Sequence, residues 1–441
     1  MKRVISVLLA VVLTAVCTAC RSDRSKLNAN DPVTLTMWHV YGEQAESPMN
    51  RLVDEFNETV GKEKGILINV TSMTNSAQIG QQLSDALADK PGAPDIPDLF
   101  FCHTDNAAAL GADRLLNWND WFTEEERAAY VPDFLTEGTI DGQLSVFPVS
   151  KSTHLLFLNG TQFDRFAAET GHSYDELRTW DGFYAAAADY TKWSGGKVFC
   201  AFDYPLRTVE LDAASHGMPV TANDEWFDFS SEAFRTSWLT FGAAMAQGNV
   251  AVSDLYSNTQ VMTGEVIAGI SSSAAILYYN DQVTYPDNTT EPLHLRILPL
   301  PQTPGETAYA TQAGVGLCAL KTTDQKAEAA SIFAHWLTED ERNLAFVKKT
   351  GYMPVTNGAF DAISDARFED DAYAELYNAL RQTRESCLFL AESGAADYYP
   401  HINRVYSALR ILQTELQRRY LAGESAAQLA DESWRTLCSV Q

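Results

Sequence analysis

Cysteine is scarce in this chain, and basic residues are outnumbered. Seven cysteines occur in 441 residues, and 32 lysines and arginines stand against 58 aspartates and glutamates, a formal net charge of −26. That balance argues against a nucleic-acid partner, whose phosphates select basic surfaces. It argues equally against electrostatic adhesion to anionic lipid. The cysteines are widely spaced, whereas a disulfide framework needs a dense, even set. Cys102, Cys200, Cys318, Cys387 and Cys438 therefore read as small buried hydrophobes. There is no internal repeat, and no apolar run reaches the ~20 residues of a membrane span. Disorder is excluded too, because 46% of the residues are hydrophobic and only 20% charged. Single cores stop growing at about 250–300 residues, so two lobes are expected.

Catalytic signatures are also missing. Gly269-Ile270-Ser271-Ser272-Ser273 lacks the closing glycine of a nucleophile elbow. The eight histidines are scattered, with no pair at metal-ligand spacing, so no metal is expected. Gly195-Gly196-Lys197 resembles the end of a phosphate-binding loop, but Thr191 stands where its first glycine belongs. Gly314-Val315-Gly316-Leu317-Cys318-Ala319 fits a dinucleotide fingerprint by letter. It runs on into apolar residues and reads as strand rather than strand-to-helix turn, so no cofactor is expected. Glu369-Asp370-Asp371 lacks calcium-loop spacing and reads as a solvated helix face.

What is present begins with an export segment. Lys2 and Arg3 precede an apolar run over residues 4–16, the layout of a signal peptide. The run ends at Cys17-Thr18-Ala19-Cys20, which resembles the lipobox of bacterial lipoproteins, with Cys17 where that motif has leucine. Residues 1–19 would be removed and Cys20 acylated. Residues 20–32 read as a polar, flexible tether.

Past the tether the chain alternates strands and helices. Val33-Thr34-Leu35-Thr36-Met37 has the period of a strand, and Ser47-Pro48 opens a helix on which Met49, Leu52, Val53, Phe56 and Val60 share a face. Strands follow at 66–70 and 98–101, with a helix through Ile79 and Leu83 between them. Asp141-Gly142 marks a hairpin, and further strands are expected at 153–158, 198–202, 267–270, 293–298 and 315–320. From Gln325 helices dominate. Thr338 with Glu341 reads as a capping box, and Gly351 stands where a C-cap glycine belongs. The pattern is α/β, with mostly parallel sheets.

The order of these features resembles the family 1 extracellular solute-binding proteins, the ligand-capturing receptors of ABC importers. The resemblance is carried by Thr34-Leu35-Thr36-Met37-Trp38-His39, by Asp95-Ile96-Pro97-Asp98-Leu99 and by the stretch from Asp141-Gly142 to Pro148-Val149. Leu156-Phe157-Leu158-Asn159, Thr179-Trp180-Asp181-Gly182-Phe183 and Lys349-Thr350-Gly351-Tyr352-Met353-Pro354-Val355 continue it in the right order. Ser150-Lys151-Ser152-Thr153 and Ile270-Ser271-Ser272-Ser273 are most similar to the glycerol-3-phosphate-binding branch. Three departures matter. His103 aligns with an acidic residue, Asn75 falls where that branch has tyrosine, and residues 391–397 lack its phosphate-binding arginine. A phosphate would lose its bidentate partner, which favours a neutral carbohydrate.

The resemblance implies a two-lobed, type II periplasmic-binding-protein-like fold with a ligand cleft between lobes joined by crossing segments. Residues 33–146 plus 312–348 would form lobe one, and 150–309 plus 350–441 lobe two. It also implies capture by hinge closure and delivery to an ABC permease, without enzymatic chemistry, by a monomer anchored through Cys20 on the outer face of the cytoplasmic membrane. The rival readings are an exported carbohydrate-active enzyme and a binding protein used as a sensor or adhesion module. Sugar sites combine aromatic faces with planar polar groups. The expected ligand-binding residues are Trp38, His103, Asp105, Lys151, Ser152, Thr153, Tyr204, Ser271, Ser272, Gly314 and Tyr352. Trp38 reads more as core than as a stacking platform, and the serines equally as a helix cap. Asp203 and Asn106 are further candidates, while Trp226, Tyr278 and Tyr279 read as core.

Overall fold

A computed structural model describes residues 25–42, 47–219, 227–254, 256–368, 370–391 and 398–440. The signal segment, Cys20, Trp226, Glu369 and residues 392–397 lie outside them. Among the described residues no helix is long and apolar enough to cross a membrane.

Two sheets organise the chain. The first contains β1 (Val33–His39), β2 (Ile66–Ser72) and β3 (Leu99–Cys102); the second contains β4 (His154–Asn159), β5 (Val198–Phe202), β6 (Val250–Val252), β7 (Val266–Ser272) and β8 (Leu295–Pro299). A late strand, β9 (Gly316–Ala319), returns to the first sheet, giving the orders β9-β3-β1-β2 and β8-β4-β7-β5-β6. In the first sheet β1 runs parallel to both neighbours and only β9 is reversed. The second sheet is more mixed than expected, because β4 is antiparallel to both β7 and β8. The glycine-rich letters at 314–319 enter β9 rather than a helix.

Helices cover both sheets: α1 (Pro48–Phe56), α2 (Ser76–Leu87), α3 (Thr104–Leu110), α4 (Trp180–Trp193), α5 (Pro205–Ser215), α6 (Glu232–Ala246), α7 (Ser257–Met262), α8 (Asp324–Leu337), α9 (Asp340–Val347), α10 (Tyr398–Leu421) and α11 (Ala426–Val440). Period-two alternation places the core. In β4, buried along its whole length, Leu155 and Phe157 join one apolar cluster while Leu156 and Leu158 join another. Four of the five cysteines expected in the core are buried, and Cys438 is half-buried.

Several local expectations hold. Ser47 accepts the N–H of Asn50 ahead of Pro48, Asp141-Gly142 joins a short hairpin, and the N–H of Gly351 closes α9 on the carbonyl of Val347 at 3.1 Å. Others require correction. Thr338 caps nothing at α9; it ends α8, donates back to the Ala334 carbonyl at 2.8 Å and meets the Tyr130 hydroxyl at 2.6 Å. The end of the expected tether is docked. Lys26 pairs with Asp324 at the start of α8, where the helix dipole favours the carboxylate, and Leu27 packs against the core. Val355 and Thr356 pair with Val131, Tyr130 and Asp340, so the segment after the last crossing first packs on the helices of the first sheet.

Candidate ligand cleft

Three extended segments pass between the sheets. Phe147 bridges to Leu317, Ser152 to Ala313, and Lys151 to Met353, each in antiparallel register. Asn343 of α9 ties two of them together: its amide donates to the Val149 carbonyl at 2.8 Å, and its oxygen accepts the Val355 N–H at 3.0 Å. Beside them Tyr41 packs edge-on against Phe101, Phe346 and Tyr352, and its hydroxyl lies 3.0 Å from that of Ser150.

The carboxyl ends of the strands open next to these crossings, the edge where α/β sheets bind ligands. Past β1, β2 and β3 lie Val40, Asn75 with Ser76, and His103; past β5 and β6 lie Asp203 with Tyr204, and Ser253. All of them line one cleft of about 560 Å³, within the range that takes small-molecule ligands. Ser152, Ser272, Gly314 and Tyr352 line it as well. Gly314 has φ +118°, a conformation side chains rarely adopt, and a Cβ there would lie 3.7 Å from the Ser150 carbonyl.

The expected residues divide by which way each strand turns them. His103, Ser152, Tyr204, Ser272, Gly314 and Tyr352 line the cleft. Trp38, Asp105, Lys151, Thr153 and Ser271 do not. Trp38 faces α2 and packs among Ile79, Leu83 and Phe100. Lys151 and Thr153 flank Ser152 and point the other way. The Lys151 ammonium is sealed against Glu137, and Thr153 meets the Thr311 hydroxyl at 3.4 Å. Asp105 keeps one oxygen buried in the first turn of α3 without a hydrogen-bond partner. Ser271 is buried behind the cleft, where it hydrogen-bonds Asp203. Ser272 both lines the cleft and accepts the Ala274 N–H as a cap. Of the remaining candidates, Asp203 lines the cleft, Tyr279 stacks on Phe157 in the core, and Tyr278 is exposed.

Sequence reasoning missed His154, Arg207, Tyr256 and a stripe on α10 formed by Ile402, Asn403, Tyr406 and Arg410. Ile402, Tyr406 and Arg410 recur every four residues, so one helix face was readable, but not what it faced.

The charges of the cleft are largely answered from within the protein. Arg207 pairs with Glu210 and donates to the Leu390 and Ala391 carbonyls. Arg410 lies 3.6 Å from Asp254 and donates to the Ser253 carbonyl at 3.2 Å. Asp203 accepts the N–H and hydroxyl of Ser257 at 2.8 and 3.1 Å; burial nevertheless pushes its carboxyl up, against the opposing hydroxyl and amide bonds. His154 stacks on Tyr204 with centroids 4.7 Å apart. Burial, and secondarily the charge of Arg207, push its imidazole down to about 3. Among the described residues no group of three or more potential metal ligands converges.

Two sheets presenting their carboxyl edges to one cleft, joined by three crossing segments, define a two-lobed, type II ligand-binding protein. The model of the bacterial extracellular solute-binding protein family matches residues 51–375, and the chain belongs to that family. Its fold is similar to that of the cyclic α-maltosyl-1,6-maltose binding protein of Arthrobacter globiformis, with TM-score 0.67, 16% identity and coverage of 93% of this chain and 99% of the other. The sugar-binding protein MalE of Xanthomonas citri gives 0.66 and 17%, covering 92% and 97%. UgpB of Mycobacterium tuberculosis, solved with glycerophosphocholine, gives 0.62 and 15%, covering 92% and 98%. At these identities the likeness is one of fold. No curated protein matches the chain by sequence.

Proposed function

We propose that this solute-binding protein captures a neutral carbohydrate or related polyol by hinge closure and hands it to an ABC permease as a monomeric lipoprotein. The lipobox-like segment ending at Cys20 supports anchoring through that residue on the outer face of the cytoplasmic membrane. The observation that carries the ligand class is the lining of the cleft. Hydroxyl, amide and imidazole groups of Asn75, Ser76, Ser152, Ser272 and His103 stand beside the rings of Tyr204, Tyr256 and Tyr352. Polar groups of this kind satisfy sugar hydroxyls, and aromatic faces cover sugar C–H surfaces. Both arginines already face carboxylates, Glu210 and Asp254, so neither presents an uncommitted charge to an anion. A glycosidase would need two cleft carboxylates, and Asp203 is the one among the described lining residues. The hinge would lie in the three crossing segments, with the β1–β3 side closing on the β4–β8 side.

Thermal unfolding against mono- and oligosaccharides, polyols and sugar phosphates tests this reading. A ligand at ~100 times its dissociation constant stabilises by about 2.7 kcal/mol. For a chain of this size that corresponds to an upward shift of about 3 °C. A selective shift with a neutral sugar supports the proposal, and a shift with sugar phosphates alone overturns it.

A further inference from the structure

Helix α5 separates the cleft from a second cavity. Arg207 lines the cleft, whereas Thr208 and Asp212 line a cavity of about 230 Å³ on the other side, closed by residues of α4 and α6. One wall is aromatic: the rings of Trp180 and Tyr184 lie 5.8 Å apart and are inclined by 27°. Asp181 and Asp212 supply carboxylates, and the lining includes no lysine or arginine among the described residues. Its one basic ring is that of His216, 3.7 Å from Asp212, which also accepts the Thr303 hydroxyl at 3.2 Å. Ser237, 5% exposed, lines the cavity as well, and its hydroxyl oxygen has no hydrogen-bond partner.

We propose that this cavity is a second binding site, distinct from the transport cleft, that takes a small organic ammonium ion. Two carboxylates in a lining with no lysine or arginine among the described residues make the cavity attractive to a cation. The rings of Trp180 and Tyr184, stacked on each other, are part of the lining. An aromatic face turned to a cation adds a cation–π term that strengthens when water is excluded. Asp212 acts on its surroundings in that sense, since its charge adds to burial in pushing the Tyr184 phenol up. The size suits a molecule smaller than a drug-sized ligand, and therefore not an oligosaccharide. The Ser237 hydroxyl offers a buried polar contact for an N–H or O–H of the guest.

Titration calorimetry of the purified full chain with choline chloride tests the site. The comparison probe is choline's neutral carbon isostere, in which a tert-butyl group replaces trimethylammonium. Choline should bind saturably at one site, and the isostere about ten-fold more weakly or not at all, the loss expected when a desolvated cation–π and ion-pair contact disappears. Asp212→Asn and, separately, the exposed Asp181→Asn should weaken choline binding by several-fold while circular dichroism and melting temperature stay at wild-type values. Tyr352→Ala, in the cleft, should leave it unchanged. Absence of choline binding, equal binding of the isostere, or loss of binding in Tyr352→Ala overturns the proposal; the last would place the ion in the cleft.

Discussion

A histidine held neutral beside a ligand cleft makes a fold sensitive to acid. His154 is 3% exposed, stacked on Tyr204, and its imidazole is pushed down to about 3 by burial and by Arg207. In the unfolded chain the same ring titrates near ~6.5. Because the folded value is the lower one, the unfolded state takes the proton first. The stabilisation is therefore complete above about pH 6.5 and is lost as pH falls towards 3. At about pH 4.5 the loss from this one residue is about 3 kcal/mol. With an unfolding entropy of about 2 cal/mol/K per residue, that lowers the melting temperature by about 3 °C. Scanning calorimetry at about pH 7.5 and pH 4.5 on the wild type and on His154→Phe measures it, since phenylalanine keeps the stack and cannot titrate. His39, whose imidazole burial also lowers, and the carboxylates titrate in both proteins, so the difference of differences isolates His154. An equal acid-induced drop in the two proteins would refute the reasoning.

Three further outcomes are expected. Asn343→Ala leaves the buried Val149 carbonyl and Val355 amide without their partner, at about 1–3 kcal/mol each, and should lower the melting temperature by several degrees; an unchanged value would show the crossing segments do not depend on this clip. Tyr352→Ala should weaken binding of the sugar found in the thermal screen by about five-fold, the worth of one aromatic contact, and wild-type affinity would remove Tyr352 from the site. Burial pushes the Cys102, Cys200 and Cys387 thiols up, so native protein should leave all three unlabelled by a thiol reagent at about pH 8, with labelling on denaturation. Labelling of Cys102 without unfolding would contradict its place in β3.

The sequence was most legible where one signal settles one local choice. The alternation in Val33-Thr34-Leu35, the Ser47-Pro48 helix start and the Asp141-Gly142 turn each act over a few residues, and each appears where its pattern stands. Thr338 shows the limit of such reading, because the same hydroxyl that can open one helix can end the one before it. Strand order and direction were not legible, since β4 and β8 pair across more than a hundred residues through contacts no local pattern encodes. At the cleft, reading past the strand ends found His103 and Tyr204. The expected residues that do not line the cleft differ by parity: Ser271 beside Ser272, and Lys151 and Thr153 beside Ser152, lie one step away and so face the opposite side. The α10 stripe was out of reach for another reason, because a helix face reveals its period but not its neighbour.

The missing arginine at 391–397 and the arginines that line the cleft bear on ligand charge in the same direction. Arg207, on α5, is spent on the Leu390 and Ala391 carbonyls and on Glu210. Redirecting it to a phosphate would strand two carbonyls and a half-buried carboxylate, a cost comparable to the charge-assisted bonds gained. Neutral hydroxyls impose no such exchange, since they can donate to acceptors and accept from donors already in place. A ligand moves two lobes together only through contacts it makes better in one arrangement. Tyr256 offers such a contact: it lines the cleft at 70% exposure, one residue before the Ser257 that holds Asp203. Covering most of an aromatic side chain removes on the order of 100 Å² of apolar surface from water, worth about 2–3 kcal/mol. That gain is independent of ligand charge, which is why an acidic protein with committed arginines can favour a bound, closed state around a neutral guest.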